Sequence, residues 1–157
     1  MFLLRMKSRR SLLRTAPALS AAALTLLLAA GCSLMAGPMP MQPVGKVNLA
    51  GANEVPPAPS TATGSGTITV ASDKGISGSV NTSGIAGTMA HIHLAAKGVN
   101  GPVIIPLTKT ADGVWSVPAG TKLTDAQYAS YIAGDLYVNI HSAAYPGGEI
   151  RSQISSN

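Results

Sequence analysis

The 157-residue chain has a single cysteine, Cys32, so no disulfide can form within it. Charged residues are also sparse, at 11%. Residues 1–31 contain no acid but hold five of the eleven Lys and Arg: Arg5, Lys7, Arg9, Arg10 and Arg14. From Cys32 onward, six basic residues (Lys46, Lys74, Lys97, Lys109, Lys122, Arg151) balance six acidic ones. The formal charge of +5 therefore belongs to the first segment, and nothing in the remainder points to nucleic acid. Catalytic motifs are missing as well. There is no G-x-S-x-G nucleophile elbow, no glycine-rich phosphate loop after a strand, and no cysteine nucleophile. The apolar stretch from Ala16 to Ala30 is about 15 residues, short of the roughly 20 that span a bilayer.

A basic segment followed by a short apolar run ending in small residues has the pattern of an export signal, expected to cover residues 1–31. The junction "LLAAGC" resembles a bacterial lipobox, with Ala29 where that pattern prefers Leu, and implies that Cys32 receives a diacylglycerol. Upstream, "SRRSLLR" (Ser8 to Arg14) resembles the twin-arginine export motif. The expectation is an exported, membrane-anchored lipoprotein facing the periplasm or the cell exterior, with the membrane as partner through Cys32. Residues 32–45, with three methionines and three prolines after Cys32 and no charge, read as a flexible tether. Thioethers bind Cu(I), but Met35, Met39 and Met41 are irregularly spaced among the prolines.

From residue 46 to 157 the chain consists of short runs rich in Val, Ile and Thr, separated by Gly, Pro, Asn, Asp and Ser. Strands are expected near 46–52, 64–71, 76–82, 88–95, 102–108, 113–117, 135–142 and 148–154. Turn signals fall at 72–75, 98–101, 110–113 and 145–148. One stretch breaks this rhythm: Thr124 as N-cap, Gln127 three residues on and Gly134 as stop predict a two-turn helix, with Leu123, Tyr128, Ile132 and Tyr131 available to cap a core. About eight strands and one short helix make an all-β domain, a Greek-key β-sandwich or barrel.

Alternation along a strand sorts side chains by face. In "TMAHIHLAAKG", Ala90, Ile92 and Leu94 share one face, and Met89, His91 and His93 the other. In "DLYVNIHS", Leu136, Val138 and Ile140 oppose Tyr137, Asn139 and His141. All three histidines thus project from the non-core side of two strands. If residues summing to about 290 pair across the last hairpin, His141 faces Glu149 and Asn139 faces Arg151. Three neutral imidazoles suit zinc or copper, so His91, His93 and His141 form a candidate metal site. Glu149 is a candidate fourth ligand or imidazole acceptor. The plainer alternative is that outward positions of a strand are polar because they meet solvent. Asn139 and Arg151 then have structural roles, Arg151 ordering Glu149 or Asn139, while Glu54 pairs with Arg151 or Lys97 and two prolines after it end the first strand.

The blocks "LAGANEVPP", "AHIHLAAKGVNGPVIIPL" and "GDLYVNIHSAAYPGGEIRSQI" occur in the order and spacing of the CHRD (chordin-type) domain, which residues 46–155 resemble. The resemblance implies an immunoglobulin-like Greek key likened to the copper/zinc superoxide dismutase barrel. "HIH" is similar to the dismutase "HVH", and His141 to a later-strand copper ligand. The further histidines and the aspartate of a binuclear dismutase have no counterparts, so no enzyme is expected. The functional expectation is a lipid-anchored extracytoplasmic binding or structural module. Its alternatives are a three-histidine copper or zinc protein, with no cofactor otherwise implied, and a protein-interaction module whose partner the sequence does not name. Growth with labelled palmitate should label the wild-type protein in the membrane fraction, and Cys32→Ser should abolish that label; a labelled Cys32→Ser protein would remove the anchor.

Overall fold

The computed structural model describes residues 44–156. The expected export segment, Cys32 and residues 32–43 of the expected tether lie outside these residues, while Val44 and Gly45, expected to end the tether, open the first strand.

Nine strands form a single antiparallel sheet: β1 (Val44–Ala50), β2 (Thr63–Val70), β3 (Ile76–Ser83), β4 (Gly87–Leu94), β5 (Val103–Pro106), β6 (Thr108–Ala111), β7 (Val114–Ser116), β8 (Leu136–Ser142) and β9 (Ile150–Ile154). Their spatial order is β5-β4-β8-β9-β1-β2-β3-β7-β6. The sheet curls into a nearly closed barrel, the all-β class expected from the sequence. β4 follows β3 in the chain yet pairs with β8, so the chain crosses over between them.

The apolar parity of each strand fills the interior. Ile68, Val80, Ile92, Leu136, Val138, Ile140, Ile150 and Ile154 are fully buried, and burying each such side chain contributes about 1.5–3 kcal/mol. Helix α1 (Asp125–Ala133) closes one end of the core. Thr124 accepts from the Gln127 backbone N–H while the Gln127 side chain accepts from Thr124 N–H, and Gly134 ends the helix at φ 82°. Leu123 and Tyr131 are buried and Tyr128 packs against the core. Ile132 is not part of this cap: one residue past Tyr131 the helix has turned by about 100°, and its side chain is 55% exposed.

Three departures from the expected boundaries have a visible physical cause. β1 ends at Ala50, four residues before Glu54, because Gly51–Asn53 winds into a 3-10 turn whose Gly51 carbonyl accepts from Glu54 and Ala58. The prolines therefore follow the break and do not cause it. The run expected at 102–108 divides, with β5 on β4 and the following β6 on β7, giving nine strands. β9 begins two residues late because Gly148, at φ 129°, still belongs to the turn.

Ile140→Ala should cost about 2–5 kcal/mol, since a fully buried side chain leaves a cavity that the barrel cannot close. A urea midpoint within error of wild type would contradict this placement of the core.

Candidate metal centre

β8 lies between β4 and β9, and its outward side chains form a grid with theirs. Met89 pairs with His141, His91 with Asn139 and His93 with Tyr137. On the other flank, Asn139 pairs with Arg151 and Tyr137 with Gln153, which is the predicted hairpin register. Beyond the ladder, Glu149 N–H donates to the Ile140 carbonyl at 2.8 Å.

At His93, Asn139 and His141 this outer face does not meet solvent, as the plainer reading of the histidines would require. Every residue of β8 is buried, as are His93 and Arg151, and of the three histidines only His91 reaches the rim. The cover is the segment after β4. Arg151 Nη2 donates to the Val99 carbonyl at 2.8 Å and Nη1 to Asn100 Oδ1 at 3.2 Å. Asn100 Nδ2 in turn donates to the Val55 carbonyl at 2.7 Å, and Gln153 Nε2 to the Ala95 carbonyl at 2.9 Å. The Arg151 guanidinium also lies 3.3 Å from the centre of the Tyr137 ring, whose ring stacks on His93 at 4.7 Å and 6°. Arg151 thus binds the covering loop rather than ordering Glu149 or Asn139 through hydrogen bonds.

The hydrogen bonds assign the imidazole tautomers. A backbone carbonyl can only accept, so Nδ1 of His93 donates to Gly101 O at 2.9 Å and Nδ1 of His141 to Pro146 O at 3.0 Å. Both Nε2 atoms then carry free lone pairs. His141 Nε2 accepts from His91 Nδ1 at 3.0 Å, while His93 Nε2 is buried with no hydrogen-bond partner. One donor nitrogen from each of the three rings lies within 4.8 Å of the others. Burial, and then the neighbouring imidazoles, hold His91 below the usual histidine range. Burial also holds His93 low, against the upward pull of the Gly101 carbonyl. Both rings are therefore neutral at pH 7, the form that ligates a metal.

The other predicted site residues lie around this cluster. Glu149 is not turned to an imidazole: its carboxylate accepts from Ser60 Oγ at 2.7 Å and from Ser142 Oγ. The imidazole acceptors are backbone carbonyls instead. Glu54 is buried, and burial pushes its carboxyl up to about 7 against the opposing pull of Arg151 and Asn139. Glu54 Oε1 and Asn139 Nδ2 both crowd Gly148, where a Cβ would stand 2.6 and 2.7 Å from them. Sequence reasoning passed over Tyr137, Asn100 and Gly101. Parity already placed Tyr137 on the histidine face. Nothing local marks Gly101, where a Cβ would collide with the Leu94 carbonyl and hold the loop off His93.

A family model described as the CHRD domain matches residues 46–154. No curated protein and no solved structure matches the chain.

Between pH 4.5 and about 7 the native state keeps a proton on Glu54 that the unfolded chain releases, so this residue lowers stability progressively as pH rises through that window. Glu54→Gln cannot ionise. Its melting temperature should gain on wild type as pH is raised from about 5 to about 8; a difference constant across that range would contradict a buried, raised carboxyl.

Proposed function

This chain belongs to the CHRD domain family, and on that premise we propose that it is an exported, lipid-anchored binding module that holds one copper or zinc ion through His91, His93 and His141. Family membership points to a structural or binding module. The observation that carries the metal reading is the convergence of three imidazoles, one donor nitrogen from each within 4.8 Å of the others.

Several features of the site fit an ion. His93 Nε2, a buried acceptor without a partner, is costly unless something binds it. Its ring and that of His141 are each fixed by a carbonyl on the far nitrogen, the usual support for a metal-ligating histidine. The 3.0 Å between His91 Nδ1 and His141 Nε2 is close to the spacing of two ligands that share an ion at about 2.0–2.1 Å. Two such ligands stand no more than ~4.2 Å apart, and the three nitrogens already lie within 4.8 Å of one another, so loading needs only small ring movements. His91, at the rim, is the ring without a backbone partner, and to ligate through Nδ1 it must move that proton to Nε2. All three histidines are used by this one cluster, which leaves none for a second metal of the dismutase kind. Binding, storage or delivery of an ion at the cell envelope suits such a site better than turnover.

Titration of the metal-free protein with Zn(II) or Cu(II) should give one equivalent bound, with a thermal stabilisation of roughly 2.7 kcal/mol once free metal reaches a hundred times Kd. His93→Ala should lose both effects. Affinity in the wild type should fall in acid, where protons compete for His91 and His93 only below the ordinary histidine range. No stoichiometric binding, or binding indifferent to His93→Ala, would refute the proposal.

A further inference from the structure

Met89 is the one residue of the histidine face on β4 that the three-imidazole cluster leaves out. It shares parity with His91 and His93 and pairs in register with His141, so its Cβ stands about 4.5–5.5 Å from that of His141, on the same side of the sheet. Its side chain is not needed by the core: it is a large apolar residue left 47% exposed at the rim, where His91 also lies. An unbranched thioether with three rotatable bonds can be redirected at little cost.

Resting on the three-histidine reading above, we propose that Met89 supplies a fourth, thioether ligand and that the ion this site is built for is Cu(I). Three imidazoles and a thioether carry no negative charge, and the fixed charge nearest to the stack is positive: the Arg151 guanidinium lies on the Tyr137 ring, whose other neighbour is His93. A neutral donor set beside a buried cation repels a divalent ion more than a monovalent one. The soft sulfur selects Cu(I), whereas zinc at an all-nitrogen site gains little from it. Glu149, the carboxylate that could have offset a second positive charge, is committed to Ser60 and Ser142.

The test uses the full exported protein. Cu(I) is competed under anaerobic reducing conditions against a chromophoric Cu(I) chelator, and Zn(II) against a zinc indicator, for wild type, Met89→Leu and His93→Ala. Met89→Leu should weaken Cu(I) by about tenfold or more and leave Zn(II) within about twofold, while His93→Ala weakens both. X-ray absorption of the Cu(I) protein should show a sulfur scatterer that Met89→Leu removes. Because Met89 is half exposed, the Leu variant keeps the fold, as an unchanged melting temperature without metal would confirm. Equal Cu(I) affinity in wild type and Met89→Leu, or a sulfur signal that survives the substitution, overturns the role of Met89 while the three-histidine site stands. Failure of the wild type to bind either ion overturns both.

Discussion

The guanidinium of Arg151, 2% exposed, is the contact on which the outer face of β4, β8 and β9 depends. Burying a cation is costly unless its donors and charge are met. Here the planar group is met by the face of Tyr137, the Val99 carbonyl and the Asn100 amide oxygen. These partners come from separate parts of the chain. By gathering them, Arg151 pins the loop after β4 over the sheet, and that loop delivers the Gly101 carbonyl to His93. The same loop N–H of Gly101 donates to the Tyr137 hydroxyl at 3.3 Å, so the phenol is held at both its face and its tip.

The electrostatic character of the site follows from this cover. A loop laid over three imidazoles removes water from them and keeps His91 and His93 neutral. Had the face stayed open, His91 and His93 would titrate near the ordinary histidine value and bond to water. With it closed, His93 Nε2 has lost water without gaining a partner, and His141 Nε2 has only another imidazole. Neighbouring acids do not relieve this. Glu54 is raised by its own burial, and Glu149 is held by serines. The result is a compact, nitrogen-rich cluster beside a buried cation, an arrangement that local stability alone does not favour.

Much of this was legible in the chain. Alternation in "HIHL" and "LYVNIH" assigned Ile92, Leu136, Val138 and Ile140 to the core and the three histidines to the opposite face, because a strand's period of two leaves only one way to bury the apolar set. The capping residues of α1 and the hairpin register at Asn139 and Arg151 were readable for the same reason: both are short-range geometry. The role of Glu149 was not. A carboxylate one strand away from an imidazole can turn to it or to a serine, and Ser60 arrives from a loop 89 residues distant in sequence.

What the sequence alone determined is the all-β class and the faces of the strands, since these depend on period, composition and neighbours a few residues apart. What only the tertiary structure decided is adjacency: that β4 lies against β8, that the loop after β4 folds back under Arg151, and that the outer face is consequently buried. Adjacency depends on how separate segments share one barrel, and a polar strand face reads the same in sequence whether water or a loop covers it. The three imidazoles converge because of that second kind of information.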